Sequence, residues 1–251
     1  MTDSSIIAGR NPVREALERG ERSIEKVLFQ KGAGGKSLED VRLAAKEAGV
    51  PVQYVPQQKL NSVAPGVNHQ GVIAIAAALT YAVLEDMLHR IAADPDEVRA
   101  RQPVLVVLDG IEDPHNFGAI LRSAVAAGAA GVIVPERGQA PLSATTVKAS
   151  AGTAARIPIA RVTNLGDALL QLKERGYWVA GLDGGASETI WTQDWDRPIA
   201  VVVGSEGGGL GTRVRDTCDF LVSIPMRGPA ESLNASVATG VTLFAAVRDR
   251  T

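Results

Sequence analysis

Apolar residues along this chain fall into two rhythms. From residue 103 onward, short unbroken apolar runs alternate with segments whose apolar positions recur at helical spacing. The runs lie at 104–108, 131–134, 157–162, 177–182, 199–203 and 220–224. The helical segments lie at 117–127, 144–154, 165–175 and about 234–247. Runs such as VLVVL and IAVVV have no polar face, so they suit strands covered on both sides. Strands of that kind alternating with helices predict a parallel sheet in an α/β fold. Open parallel sheets hold their ligands beyond the C-terminal ends of the strands.

The first eighty residues have a different texture and predict a small α/β unit of their own. Asn11-Pro12 reads as an N-cap with proline at the first helical position, opening a helix to about Arg19. A strand follows at 24–29, then an amphipathic helix at 37–48 with Leu38, Val41, Leu43 and Ala44 inward, and short strands at 52–55 and 72–76. Residues 81–102 lose the strand pattern. Tyr81 to Ala92 suits one helix, and with Asp94-Pro-Asp-Glu97 as a polar break the whole stretch reads as a linker. The expected organisation is 1–80, a linker at 81–102, and a second domain at 103–251.

Composition narrows the classes. Of 251 residues, 45% are hydrophobic and 22% charged, the balance of a soluble globular protein. No apolar stretch is long enough to span a membrane, and the first residues lack the basic start and apolar core of a signal peptide. One cysteine, Cys218, excludes an intramolecular disulfide framework, and with three scattered histidines it offers no zinc cluster. The expectation is a cytoplasmic protein without a metal, with Cys218 a buried structural thiol. The net charge of −2 is unevenly spread. Residues 1–80 carry 10 Lys+Arg against 8 Asp+Glu, and the remainder 16 against 20. A nucleic-acid partner would require local clustering of the positive charge.

Gly34-Gly-Lys36-Ser37 has the look of a phosphate-binding loop, but that pattern requires a glycine where Gln30 stands. Trp178, Trp191 and Trp195 are expected in core packing or as loop anchors before any base-stacking role.

Three stretches carry candidate chemistry, each at the C-terminal end of an apolar run. They are Asp113-Pro-His-Asn116-Phe-Gly-Ala-Ile-Leu-Arg122, Val201-Val-Val-Gly204-Ser-Glu206-Gly-Gly-Gly-Leu210, and Ile224-Pro-Met226 through Ser232-Leu-Asn234 into the last helix. In this order and spacing they resemble the motifs of the SpoU family of RNA ribose 2′-O-methyltransferases, the TrmH-like branch of the knotted SPOUT enzymes. The opening IIAGRNPVREAL and Asn68-His69-Gln70-Gly71-Val72 resemble the RNA-binding N-terminal domain, similar to a small ribosomal protein, of the RlmB-like subgroup. By default His69 would be a surface turn residue.

The resemblance implies a SPOUT parallel sheet closed by a C-terminal deep trefoil knot, a homodimer, and S-adenosyl-L-methionine as cofactor. It implies ribose 2′-O-methylation of RNA, a guanosine of 23S rRNA first. It places Asn116, Arg122, Glu206, Ser232 and Asn234 at the methyl-transfer centre, and Gly204, Ile224 and Leu233, then Leu182 and Met226, against the cofactor. An arginine side chain stays protonated in proteins. Arg122 is therefore expected to orient and polarise the 2′-hydroxyl, with Glu206 fixing the guanidinium through charge-assisted hydrogen bonds. Asn116 is expected to cap the helix beginning at Phe117. Glu231 departs from the small neutral residue expected before Ser232. Transfer RNA as substrate and an RNA-binding or resistance protein on the same fold remain as alternatives. A dinucleotide-dependent oxidoreductase is disfavoured, because GSEGGGLG does not align as G-x-G-x-x-G.

Overall fold

The computed structural model describes residues 5–19, 24–76 and 79–250. The contacts divide the chain into two compact units, with the boundary between Leu79 and Thr80.

The first unit is a four-stranded mixed sheet of β1 (Ser5–Ala8), β2 (Ile24–Gln30), β3 (Val52–Val55) and β4 (Val72–Ala76), in the order β1-β4-β2-β3. β2 runs parallel to β3 and antiparallel to β4. Helices α1 (Arg10–Arg19) and α2 (Lys36–Glu47) bury Val13, Leu17, Leu38, Val41 and Ala45 against one face. On the other, α3 (Gln57–Val63) inserts Leu60 among Leu28, Val55 and Ile73. The sequence pattern misses α3 because Leu60 is the only residue of this short helix that is buried. Gly35 precedes α2 at φ 116°, so the glycine-rich stretch is a helix entry. His69, expected at the surface, is 6% exposed.

The second unit is a six-stranded all-parallel sheet. Its strands are β5 (Val104–Asp109), β6 (Gly131–Pro135), β7 (Ile159–Val162), β8 (Trp178–Leu182), β9 (Ile199–Gly204) and β10 (Phe220–Val222), in the order β10-β8-β9-β5-β6-β7. The central strands β5 and β9 are buried along nearly their whole length, as their unbroken apolar runs require. The helices are α6 (Pro114–Ala126), α7 (Ala144–Ala149), α8 (Leu165–Glu174), α9 (Thr212–Thr217) and α10 (Ala235–Val247), with a 3-10 turn at Thr153–Arg156 that shortens the helix expected to run to 154.

Residues 81–102, expected as a linker, instead belong to this unit. They form α4 (Leu84–Ile91) and α5 (Pro95–Arg101), and they bury Leu84, Met87, Leu88, Ala92 and Val98 in the second core. The polar break is a capping box: Asp94 accepts from the Glu97 N–H (2.9 Å) and Glu97 accepts from the Ala93 N–H (3.0 Å). Leu84, Met87, Leu88 and Ile91 keep helical spacing, and that signal could have revealed the packing face.

α6 lies against α7 at unusually close range. A Cβ on Gly118 would stand 2.5 Å from both the Ala149 Cβ and the Thr146 carbonyl oxygen. Gly118→Ala is expected to destabilise the second unit by about 1–3 kcal/mol through overpacking, read as a lowered midpoint in chemical denaturation.

Candidate active site

β9 ends in a loop that folds back on its own strand. Ser205 and Gly209 exchange two backbone hydrogen bonds (3.1 and 2.9 Å), and a Cβ on Gly204 would fall 2.1 Å from the Gly209 carbonyl carbon. Only glycine permits this hairpin at the strand end, and the hairpin holds Glu206 out at its tip.

Glu206 is the hub of a polar cluster. Its Oε1 accepts from the Asn234 Nδ2 (2.7 Å), the Asn116 Nδ2 (2.8 Å) and the Ala235 N–H (3.3 Å). A carboxylate only accepts, so both amides must turn their nitrogens toward it. The amide oxygens are thereby assigned. That of Asn116 accepts from the Asn234 Nδ2 (2.9 Å), and that of Asn234 accepts from the N–H groups of Ser236 (2.9 Å) and Val237 (3.4 Å), capping α10. One carboxylate thus joins the start of α6, the end of β9 and the N-terminus of α10, where the helix dipole favours negative charge.

The expected cap at Asn116 is corrected. Asp113 caps α6 by accepting from the His115 N–H (2.8 Å), with Pro114 at the first helical position. Asn116 lies inside the first turn, which leaves its side chain for the cluster.

Two cavities meet at Ser205 and Glu206. The first, of about 240 Å³, is lined by Leu182, Gly204, Ile224, Met226 and Leu233 together with Ser232 and Glu231. The second, of about 650 Å³, is lined by Asn116, Glu112, Arg137 and the Gly207-Gly208 backbone. Residues 224–233 form one wall of the first cavity and make no backbone–backbone hydrogen bond among the described residues. A mostly apolar cavity edged by unpaired peptide groups fits a purine ring, whose faces are apolar and whose edges seek donors and acceptors. The Glu206 Oε2 and the Ser232 hydroxyl also have no partner among the described residues.

Comparison with known proteins matches this arrangement to a family. Residues 103–244 match the SpoU rRNA Methylase family, and residues 6–82 match the RNA 2′-O ribose methyltransferase substrate binding domain. The chain belongs to the SpoU family. YacO of Bacillus subtilis (strain 168), a TrmH family protein, is 42% identical over 244 residues, covering 97% of this chain and 95% of its own. The 23S rRNA (guanosine-2′-O-)-methyltransferase RlmB of Ralstonia nicotianae is 41% identical over 251 residues, 100% of this chain and 98% of its own. Among solved structures, an AdoMet-bound rRNA methyltransferase from Sinorhizobium meliloti superimposes with a TM-score of 0.72 at 30% identity, covering 99% of this chain and 88% of that one.

Set in the SpoU frame, Asn116, Glu206 and Asn234 are bonded together, and Ser232 shares the first cavity with Glu206. Arg122 does not join them. It is exposed on α6 and has neither a hydrogen bond nor an ion pair among the described residues. Within one chain Glu206 therefore does not pair with Arg122: the amides of Asn116 and Asn234 occupy its Oε1.

The remaining candidates sort by burial. Cys218 is half-buried, its Sγ donates to the Val214 carbonyl (3.3 Å), and burial pushes its thiol up to about 12, with Asp219 adding to the shift. Trp195 is buried and donates from Nε1 to the Ile190 carbonyl (2.9 Å), a loop anchor. Trp178 and Trp191 are exposed, contrary to core packing, and the Arg197 guanidinium covers the Trp178 ring at 4.8 Å. Among the described residues no group of three His, Cys, Asp or Glu is placed to hold a metal, and no helix is long and apolar enough to cross a membrane.

Proposed function

We propose that this SpoU protein transfers a methyl group from S-adenosylmethionine to a ribose 2′-hydroxyl of RNA, with a guanosine of 23S rRNA as its target. The observation that carries the reading is the meeting of the two cavities at Glu206. One fits the cofactor; the other is open enough to admit a nucleoside. The AdoMet-bound relative and the RlmB relative support the choice of cofactor and substrate.

S-adenosylmethionine supplies an electrophilic methyl on a sulfonium. The chain's work is to align the hydroxyl with it and to manage one proton. Leu182, Ile224, Met226 and Leu233, with Gly204 at the strand end, are the residues that would hold the cofactor. Asn116, held by Glu206, faces the substrate cavity and positions the ribose. The open Glu206 Oε2 lies at the seam, where it accepts the hydrogen bond of the incoming hydroxyl. Ser232 bonds the reacting groups from the cofactor side. No metal enters the scheme.

Arg122 completes the site from a second copy of the chain. An apolar stripe of Val237 (49% exposed), Val241 and Phe244 (52% exposed) recurs at helical spacing on α10, and Gly240 in the same stripe abuts Ser123, the neighbour of Arg122. A homodimer through this face covers the stripe and carries the partner's Arg122 to the cluster. The same reading includes the trefoil knot of the family and a cytoplasmic location.

Incubation with labelled S-adenosylmethionine and purified 23S, 16S and transfer RNA tests the assignment. Label confined to a ribose in 23S RNA is expected. Label only in transfer RNA overturns the substrate, and failure to bind S-adenosylmethionine overturns the chemistry.

A further inference from the structure

The sequence AsnHisGlnGly at 68–71 plays no part in the methyl-transfer site, yet the first unit is built around it. A cavity of about 520 Å³ opens there, between the start of α1, the end of β2, α3 and the 67–71 loop. That size lies within the roughly 300–1,000 Å³ range of ligand sites. Among the described residues its wall carries five side-chain amides (Gln30, Gln57, Asn61, Asn68 and Gln70), the Arg10 guanidinium and no carboxylate.

The frame of this cavity is fixed and its inner surface is not. His69 is buried; its Nδ1 accepts from the Gly71 N–H (3.0 Å), so its Nε2 carries the proton and donates to the Asn61 Oδ1 (2.9 Å). This ties α3 to the loop. Arg10 donates through Nε to the Gln70 carbonyl (3.1 Å), and its backbone N–H donates to the Gln70 Oε1 (3.3 Å), which ties α1 to the same loop. Gln70 holds this place at φ 50°, a left-handed conformation that a non-glycine residue adopts at a cost, retained here at an exposed polar turn. The side chains of Gln30, Gln57 and Asn68 have no hydrogen-bond partner among the described residues.

We propose that this cavity receives one unpaired nucleobase of the substrate RNA, swung out of a loop or bulge. An amide presents a donor and an acceptor side by side, as does the polar edge of a base, and several amides around one cavity read such an edge by paired hydrogen bonds. Among the described residues the terminal nitrogens of the Arg10 guanidinium have no partner and can meet the attached phosphate or the base plane, and a wall without carboxylates among those residues admits an anionic backbone. The cavity thus supplies sequence discrimination at a point outside the reacting nucleotide. The inference rests on the RNA substrate proposed above and adds where, and through which part of it, the RNA is read.

The test uses the full-length protein and 23S rRNA transcribed in vitro. Gln57 and Asn68 are exposed, so Gln57→Ala/Asn68→Ala is expected to fold as wild type. Its Kd for the RNA and the KM for methyl transfer should rise about tenfold or more, with kcat and the Kd for S-adenosylmethionine unchanged. Ultraviolet crosslinking of the wild-type complex should attach a nucleotide to peptides spanning 57–71. Wild-type Kd and KM in the double variant, or crosslinks only to other peptides, would overturn the inference while leaving methyl transfer intact. Crosslinks at 57–71 in a protein that binds RNA without methylating it would uphold the cavity and defeat the proposed reaction.

Discussion

Arg122→Ala is expected to lower methyl transfer by about 10²- to 10³-fold, the usual cost of removing one preorganised group that stabilises developing negative charge. The Kd for S-adenosylmethionine should stay at the wild-type value, because Arg122 is absent from the cofactor cavity. The thermal midpoint should also hold, since Arg122 is exposed and unpaired among the described residues. The mixed dimer gives the sharper reading. Arg122→Ala and Glu206→Ala are each expected to be inactive. Unfolded and refolded together, half the dimers are mixed, and each mixed dimer has one site with both groups intact. Activity should return to about a quarter of wild type. No recovery would mean that Arg122 serves its own chain's site.

Asn234→Ala carries the second large effect, because one side chain does two jobs. Its oxygen caps α10 and its nitrogen bonds both Asn116 and Glu206. Loss of the cap costs about 1–2 kcal/mol, read as a lower denaturation midpoint. Loss of the amide nitrogen removes a donor from both Glu206 and Asn116 and should lower kcat about 10²-fold. Asn234→Asp separates the two. Aspartate still caps the helix, but it sets a second carboxylate against Glu206, where two amide donors now stand. Stability near wild type with kcat as low as in Asn234→Ala is the expected outcome. Near-normal kcat in Asn234→Asp would remove Asn234 from the transfer centre.

The parallel sheet was legible because its strands are unbroken apolar runs, a pattern that burial on both faces imposes locally. The grouping of Leu182, Gly204, Ile224, Met226 and Leu233 came from the family resemblance; the strand-end rule alone said only that the three motifs can converge. The partners of Glu206 were not legible. Arg122 and Asn116 lie on the same helix, and only the three-dimensional path of the β9 hairpin decides which of them the carboxylate meets. The helix at α4 was legible, but α5 was missed because a helix cap and a polar break use the same residues. His69 was misplaced because a histidine in a turn is usually solvated, whereas here α3, itself missed in the sequence, covers the ring and supplies Asn61 as its partner.

The Asn234–Asn116 hydrogen bond joins residues 118 positions apart, and β5 finds its β9 neighbour only after most of the second unit has been made. Non-local pairing of this kind makes folding slow, because a large loop must close before any contact rewards it. On the ribosome, β5 emerges as an apolar segment with one edge open, and that edge waits through the synthesis of α6, β6, α7, β7, α8 and β8 before β9 covers it. The methyl-transfer cluster therefore closes only once the start of α10 has left the exit tunnel, and a nascent chain short of that point holds no formed site with which to modify RNA.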